Sequence, residues 1–435
     1  MKKYFGTDGI RGIPNENLTQ DLISGMARAV EQVLGISSVA VIQDTRSSSK
    51  EILNWISKGF SEEVNVFNYG VLPSGSMPIL ISEFNHDLGI IISASHNPSE
   101  YNGVKLINKN GSKLSDELEI AIESEIGKSE LPNSSSVVKE TEEGKKAYEQ
   151  FLLDQIDFNI DNFNLVIDCA NGSAYQVIEE LFKSNKNIRV INNTPDGENI
   201  NHECGATYME NMIQNIKKGE IGISFDGDAD RSILVDEEGK VSNGDVIMLL
   251  VSKYLSSKGS LKNNVVVSTV MSNFGFKAAV EKNNFSNIET KVGDKYVAEA
   301  LLENNGSLGG EQSGHIIFPD ILPVGDGLLT MLMSLKALSF FNTTLVQFKA
   351  DNIYEYPQVL ENLHLNEIPS DDVIDSLNAL AEELFLETQL DGRYLIRKSG
   401  TEPLLRVLVE AKSEEELDNF MDKLLTIIKN DLKIS

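Results

Sequence analysis

Three times along the chain a short β-branched run gives way to a polar loop and then to a helical pattern. This repeat limits the fold more than any other feature. The runs are Val39-Ala-Val-Ile-Gln43 before "DTRSSSKEIL", Leu165-Val-Ile-Asp168 before "CANGSAYQVIEEL" and Val265-Val-Val-Ser268 before "TVMSNFGFKAAV". Runs so short and apolar, each leading into a helix, predict parallel strands covered on both faces. Each unit then reaches a second strand that breaks into an unusual polar loop: "SASHNP", "SFDGDADR" and "GGEQSGH". The period is loose while the order of parts recurs. Loops beyond the carboxyl ends of such strands collect helix N-termini and free amides, so three units can point three loops into one cleft.

Boundaries follow from breaks in the pattern. The polar, apolar-poor stretch 128–144 reads as the connection out of the first unit, and the helix "GDVIMLLVSKYLSSKG" closes the second near residue 258. After Asp351 the pattern changes. A helix is expected at about 371–386, strands at Tyr394–Arg397 and Leu405–Val409, and a last helix from Ser413, where Ser413-Glu-Glu-Glu416 forms a capping box. The expected domains are 1–145, 146–258, 259–365 and 366–435.

Charge and composition exclude several function classes. With 66 acidic against 38 basic residues, the formal charge of −28 repels phosphate backbones and anionic membranes, so neither nucleic acid nor membrane is an expected partner. An anionic substrate would then need arginines and lysines gathered locally. Cys169 and Cys204 are the only cysteines and have no metal-type spacing, which suits a reducing compartment. The start "MKKYFGT" lacks a signal-peptide core, and no uncharged stretch approaches the roughly 18 residues of a membrane span. The expected location is the cytoplasm.

In "DGDADR", Asp226, Asp228 and Asp230 alternate with small residues. Three like charges this close repel unless a cation sits among them, which implies a hard divalent ion such as Mg²⁺. An EF-hand is the rival, with Glu237 at its twelfth position. However, Arg231 stands where that loop needs glycine, and the preceding Ile221–Phe225 reads as a strand. A solvated acidic turn is the other alternative. In "SASHNP", neighbouring side chains of an extended chain point to opposite sides, so Ser95 and His96 are not expected to work as a dyad. Ser95 can instead accept a phosphoryl group, held at a turn sharpened by Pro98; an ordinary strand-exit turn is the plain alternative.

The remaining motifs are weaker singly. "YNGVKLIN" places Lys105 just after a turn at Asn102-Gly103, where a surface role competes with a catalytic one. In "GGEQSGH", Glu311, Ser313 and His315 would share one side of an extended segment, suited to sugar hydroxyls and, at His315, to proton transfer. A glycine-rich loop with a satisfied histidine explains the same residues. "RKSGTEPLLRV" strings Arg397, Ser399, Gly400 and Thr401 along a turn before Arg406, as a terminal phosphate requires. "FGTDGIRG" packs Thr7, Asp8 and Arg11 among three glycines, without dinucleotide-fingerprint spacing.

Taken together, these stretches resemble the α-D-phosphohexomutase family over nearly the whole chain. "YFGTDGIRG" combined with "GEQSGH" resembles its hexosamine-phosphate branch. The resemblance implies an α/β architecture: three related mixed-sheet domains and a smaller C-terminal α+β domain around a central cleft. In chain order these would be the phosphoserine, metal-binding, sugar-binding and phosphate-binding domains. Ser95 would be a phosphoserine that joins Asp226, Asp228 and Asp230 around Mg²⁺. Thr7, Arg11 and Arg231 would line the transfer site, with Lys105 and His315 as proton carriers. Glu311 and Ser313 would hold sugar hydroxyls, while Arg397, Ser399, Gly400, Thr401 and Arg406 would grip the phosphate that is not transferred. The implied reaction converts glucosamine 6-phosphate into glucosamine 1-phosphate through a hexosamine 1,6-bisphosphate, which also serves as activator, and a homodimer is among the assemblies this allows. A phosphomannomutase or phosphoglucomutase is the alternative within the family, and a phosphatase using the same serine and a silent sugar-phosphate sensor are the rival classes. Ala229 departs from the pattern, standing where relatives often have a second glycine.

Overall fold

The computed structural model describes residues 2–6, 8–398 and 403–432. The chain divides into two compact units, Met1–Met271 with Asn283–Asp351, and Ser272–Lys282 with Asn352–Ser435.

The first unit holds three mixed sheets built on one plan. In the first, the strands run in the order Ile10–Gly12, Asn102–Asn108, Leu88–Ile92, Ser38–Gln43, Asn65–Val71 and Val138–Glu140. Ser38–Gln43 lies parallel to Leu88–Ile92, which pairs antiparallel with the returning Asn102–Asn108. The second sheet repeats this with Leu165–Asp168, Ile221–Phe225 and the return Ser232–Val235. In the third, Val265–Thr269 lies parallel to Gly309–Gly310, which turns back into Ile316–Phe318. The three polar loops picked out by sequence are therefore the same structural part. Each joins a parallel strand to its antiparallel return.

Burial explains the apolar runs. Every residue of Leu88–Ile92, Leu165–Asp168 and Ile221–Phe225 is buried, each large aliphatic side chain contributing about 1.5–3 kcal/mol of transfer free energy. The helix Gln20–Leu34 covers the first sheet with Ile23, Met26, Ala27 and Val30. It starts where Thr19 Oγ1 accepts from the Leu22 amide and stops at Gly35, whose φ of 63° suits glycine. Two short edge strands of the first sheet carry too little pattern to be read from sequence: Ile10–Gly12 in the N-terminal motif, and Val138–Glu140 inside the stretch taken as a connection.

The second unit is a three-stranded antiparallel sheet, Gln358–His364, Leu404–Ala411 and Gly392–Lys398, packed by the helices Asp371–Thr388 and Glu414–Leu432. The Glu416 amide donates to Ser413 Oγ, as the capping box predicts. The strand Gln358–His364 was not expected; its exposed Glu361 and His364 break the apolar pattern. Buried Glu410 ties the helix Phe274–Lys282 into this unit, accepting from the Phe274 amide at 2.8 Å and from Arg393 Nε at 2.7 Å. Among the described residues, no single helix is long and apolar enough to cross a membrane. Gly327–Phe341 and Leu345–Asn352 pass that test only as a pair bent by 77°.

Candidate active site

The serine loop and the carboxylate loop meet. Ser95 is 1% exposed, and its Oγ donates to Asp226 Oδ2 at 2.6 Å. Its φ of 51° is left-handed, a region costing a non-glycine residue roughly 1–2 kcal/mol. This corrects one expectation. Because Ser95 is not extended, Ser95 Oγ and His96 Nδ1 fall on the same side, 3.4 Å apart. Burial, then the charges of Arg231 and Arg11, lower the His96 pKa to about 4, so the imidazole beside the serine is neutral.

Asp226, Asp228 and Asp230 are 0, 1 and 6% exposed, which rules out a solvated turn. The loop joins two strands rather than two helices, which rules out an EF-hand. Each carboxylate offers an oxygen within 4.8 Å of the others. The curl rests on Ala229 at φ 56°, a left-handed conformation that glycine would adopt without strain. It is held by Ala229 N–H donating to Asp226 O at 3.0 Å and by the Gly327 amide donating to Ala229 O at 2.9 Å. Gly227 lies so near the serine loop that a Cβ there would sit 2.7 Å from Ser95 O.

The donor set fits a hard divalent cation. Among the described residues Asp228 Oδ1 is buried without a hydrogen-bond donor, and burial together with Asp230 and Asp228 raises the Asp226 pKa to about 8. Such a cluster lacks positive charge at its centre.

Cations already surround it. Lys105 lies within the strand Asn102–Asn108, which already includes the Asn102-Gly103 pair expected as a turn; it is 3% exposed and places Nζ 2.7 Å from Asp228 Oδ2, 2.9 Å from Asp8 Oδ2 and 3.2 Å from Asp230 Oδ2. Burial alone would neutralise it, but the three carboxylates outweigh burial and hold its pKa well above the usual lysine value. Arg11 pairs with Asp8 and donates to Asn97 Oδ1 at 3.1 Å. The Arg231 amide donates to Asp226 Oδ1 at 3.2 Å, and its guanidinium Nε stands 3.9 Å from Asp230 Oδ1.

His315 sits between two carboxylates, Nδ1 3.5 Å from Asp230 Oδ1 and Nε2 3.6 Å from Asp294 Oδ2. Burial opposes its protonation, yet Asp230, Asp294 and Glu311 raise its pKa to about 9. The two other residues of that motif do not share its face. The segment turns, with the Gly314 amide donating to Glu311 O, so Ser313 is exposed while His315 is buried. Glu311 accepts from the Gly293 amide at 3.0 Å.

Four members of this network were given no role by the sequence reading. Asp8 anchors Arg11, Lys105 and Lys113; Lys113 in turn reaches Asp294 Oδ2 at 2.6 Å. Ser74 fixes the carboxylate loop, its amide donating to Asp228 O at 2.9 Å and its Oγ to Asp228 Oδ2 at 2.7 Å. Only Asp8 lay inside a quoted motif; Ser74, Lys113 and Asp294 belong to segments with no local signature.

In the second unit Arg397 and Arg406 face one another across neighbouring strands. Each has a buried Nε without an acceptor among the described residues. Burial and Arg406 together lower the Arg397 pKa. Two guanidiniums so placed carry like charges and free donors of the kind an anion can satisfy. Thr7, Ser399, Gly400 and Thr401 lie outside the described residues.

Comparison with known proteins agrees with this geometry along the chain. Residues 2–133, 146–239 and 243–356 match the α/β/α domains I, II and III of phosphoglucomutase/phosphomannomutase, and 361–427 match its C-terminal domain. Phosphoglucosamine mutases from Clostridium novyi and Clostridium kluyveri are 41% and 39% identical, with 99% of both chains covered in each case. A phosphoglucomutase/phosphomannomutase family protein from Burkholderia thailandensis shares the fold with a TM-score of 0.80 at 24% identity, covering 99% of this chain and 98% of that one. N-acetylphosphoglucosamine mutase of Aspergillus fumigatus, solved with GlcNAc-6P and magnesium, has a TM-score of 0.71 at 19% identity, covering 99% and 96%. A serine at a strand end, three clustered carboxylates and four matched domains in order lead to one conclusion: the chain belongs to the phosphoglucomutase/phosphomannomutase family of α-D-phosphohexomutases, its full-length curated relatives being phosphoglucosamine mutases.

Proposed function

We propose that this phosphohexomutase interconverts glucosamine 6-phosphate and glucosamine 1-phosphate in the cytoplasm, with Ser95 carrying the phosphoryl group. The observation that supports it most is the Ser95 hydroxyl bonded to Asp226 within the buried acidic cluster, in a chain whose curated relatives are phosphoglucosamine mutases. In one half-reaction a sugar hydroxyl oxygen bonds to phosphorus as the bond from phosphorus to Ser95 Oγ breaks, giving the 1,6-bisphosphate. In the other, the opposite ester returns its phosphoryl group to Oγ. In each half the attacking hydroxyl loses a proton and the leaving oxygen gains one, Ser95 Oγ in the first and a sugar oxygen in the second, so nothing is consumed.

Phosphoryl transfer needs alignment and neutralisation, because the moving oxygens carry spread negative charge. Asp226, Asp228 and Asp230, with the Ser95 phosphate, would hold Mg²⁺, which when bound neutralises those oxygens. Lys105, Arg11 and Arg231 supply further positive charge, Thr7, from the same sequence motif as Arg11, lines the transfer site with them, and Lys105 and His315 carry the proton between the attacking and the leaving oxygen. Glu311 and Ser313 hold sugar hydroxyls, while Arg397, Ser399, Gly400, Thr401 and Arg406 hold the idle phosphate. Burial of Ser95 keeps water from its phosphate. A hexosamine 1,6-bisphosphate would prime the serine.

The test is Ser95→Ala in an assay offering glucosamine, glucose and mannose phosphates together. Abolished turnover in the variant and preference for glucosamine in the parent support the reading. Stoichiometric release of inorganic phosphate would make the protein a phosphatase instead.

A further inference from the structure

The turn that displays Ser95 is gripped from its backbone by one side chain whose donors all go to protein acceptors. Arg46 is fully buried, and all five of its N–H donors are used. Nη2 donates to Ser95 O at 3.0 Å and Asn97 O at 2.7 Å; Nη1 donates to Tyr101 O at 2.8 Å and to Pro98 O; Nε donates to Asp44 Oδ2 at 2.9 Å. Asp44 in turn accepts from Ser93 Oγ at 2.6 Å, and Ser93 Oγ accepts the Ser95 amide at 2.8 Å. Asn201, from the loop that follows the second sheet's Ile188–Ile191 strand, adds bonds to Ser95 O at 2.9 Å and Asn97 O at 3.2 Å.

Four carbonyls converging on one guanidinium make charge-assisted bonds that a plain strand-exit turn does not require. A serine at φ 51° persists only where its surroundings over-determine it. The fork does so: Ser95 O is held by Arg46 and Asn201, and Ser95 N by the Asp44–Ser93 pair, which leaves Oγ facing Asp226.

We propose that Arg46, assisted by Asn201, is the positioning residue that sets Ser95 Oγ against the carboxylate cluster, so that its loss slows phosphoryl transfer without weakening sugar-phosphate or metal binding. The inference rests on the phosphoserine reading above. A planar five-donor fork has no substitute in lysine, whose ammonium carries three donors on a point charge.

The experiment compares Arg46→Lys and Asn201→Gly with the parent in kcat, KM, Mg²⁺ titration and thermal unfolding; glycine at 201 keeps that residue's φ of 57°. The expected result is kcat lower by about 100-fold for Arg46→Lys and about tenfold for Asn201→Gly, with KM and the Mg²⁺ midpoint within about threefold, as misplacement of a reacting atom by about 1 Å produces. Wild-type kcat in Asn201→Gly would overturn it, and that variant decides the matter if Arg46→Lys does not fold. A fall in kcat matched by equal losses in KM, metal midpoint and melting temperature would also overturn it, by showing a purely structural role. The two readings fail separately: turnover surviving in Ser95→Ala removes the phosphoserine, whereas a dead Ser95→Ala beside fully active Arg46→Lys and Asn201→Gly removes only this inference.

Discussion

Lys105 Nζ lies 2.7 Å from Asp228 Oδ2 and reaches Asp8 and Asp230 as well. Its ammonium partly offsets the charge that a divalent cation would offset. Replacing Lys105 with Met should therefore lower turnover by at least about 100-fold, the scale of a lost proton-transfer group. The same change should shift the Mg²⁺ midpoint to lower concentration, because the three aspartates lose a competing cation. A metal titration followed by calorimetry checks this. A midpoint moving upward would mean that Lys105 shapes the loop instead of sharing its charge.

Ala229 carries a left-handed φ of 56° and is fully buried. Ala229→Gly removes strain of about 1–2 kcal/mol but loses a buried methyl and frees the unfolded chain. The net change in unfolding free energy should stay within about 1 kcal/mol of zero, with activity kept. Ala229→Val, β-branched at positive φ, should cost several times that. Urea unfolding of the two variants gives both numbers, and equal effects would contradict the strain account.

Asp326 is fully buried and caps the helix Gly327–Phe341, accepting from the Leu329 amide and from Tyr148 Oη, each within 2.8 Å. Burial raises its pKa to about 6 from an ordinary 3.8. The folded state therefore holds this proton to higher pH than the unfolded chain does. Between about pH 4 and 6 the group's contribution to stability falls as pH rises, by about 3 kcal/mol over the full window. Asp326→Asn removes the titration. The stability of the Asp326→Asn variant relative to the parent should accordingly be greater at pH 7.5 than at pH 5.2 in urea melts, and a pH-independent difference would refute the assignment.

Arg397 and Arg406 face each other as like charges. Arg406→Gln should raise the melting temperature slightly, as removal of an opposed like-charge pair is worth about 0.2–1 kcal/mol. It should also raise KM for sugar phosphate about tenfold, the loss of one charge-assisted grip. Unchanged KM would move the phosphate site elsewhere.

The local part of this site was legible in the chain. Asp226, Asp228 and Asp230 announce themselves because three alternating acids need a cation, and the Leu88–Ile92 run marks the strand that delivers Ser95. What escaped is non-local. Ser74, Lys113 and Asp294 reach the cluster from separate segments, and nothing in their neighbours distinguishes them from surface residues. The Ser95–His96 and Glu311–Ser313–His315 expectations both assumed an extended chain. The left-handed Ser95 and the turn closed by Gly314 reversed which side chains share a face. The antiparallel returns were hidden for the same reason, since a strand's direction depends on the loop before it.

The central claim is that Ser95 stores the phosphoryl group. Intact-protein mass, with peptide mapping, measures it directly after loading with hexosamine 1,6-bisphosphate. The account predicts one phosphate, on Ser95, removed stoichiometrically by glucosamine 1- or 6-phosphate with formation of the bisphosphate. An actively turning-over protein that never carries phosphate on Ser95 would contradict it.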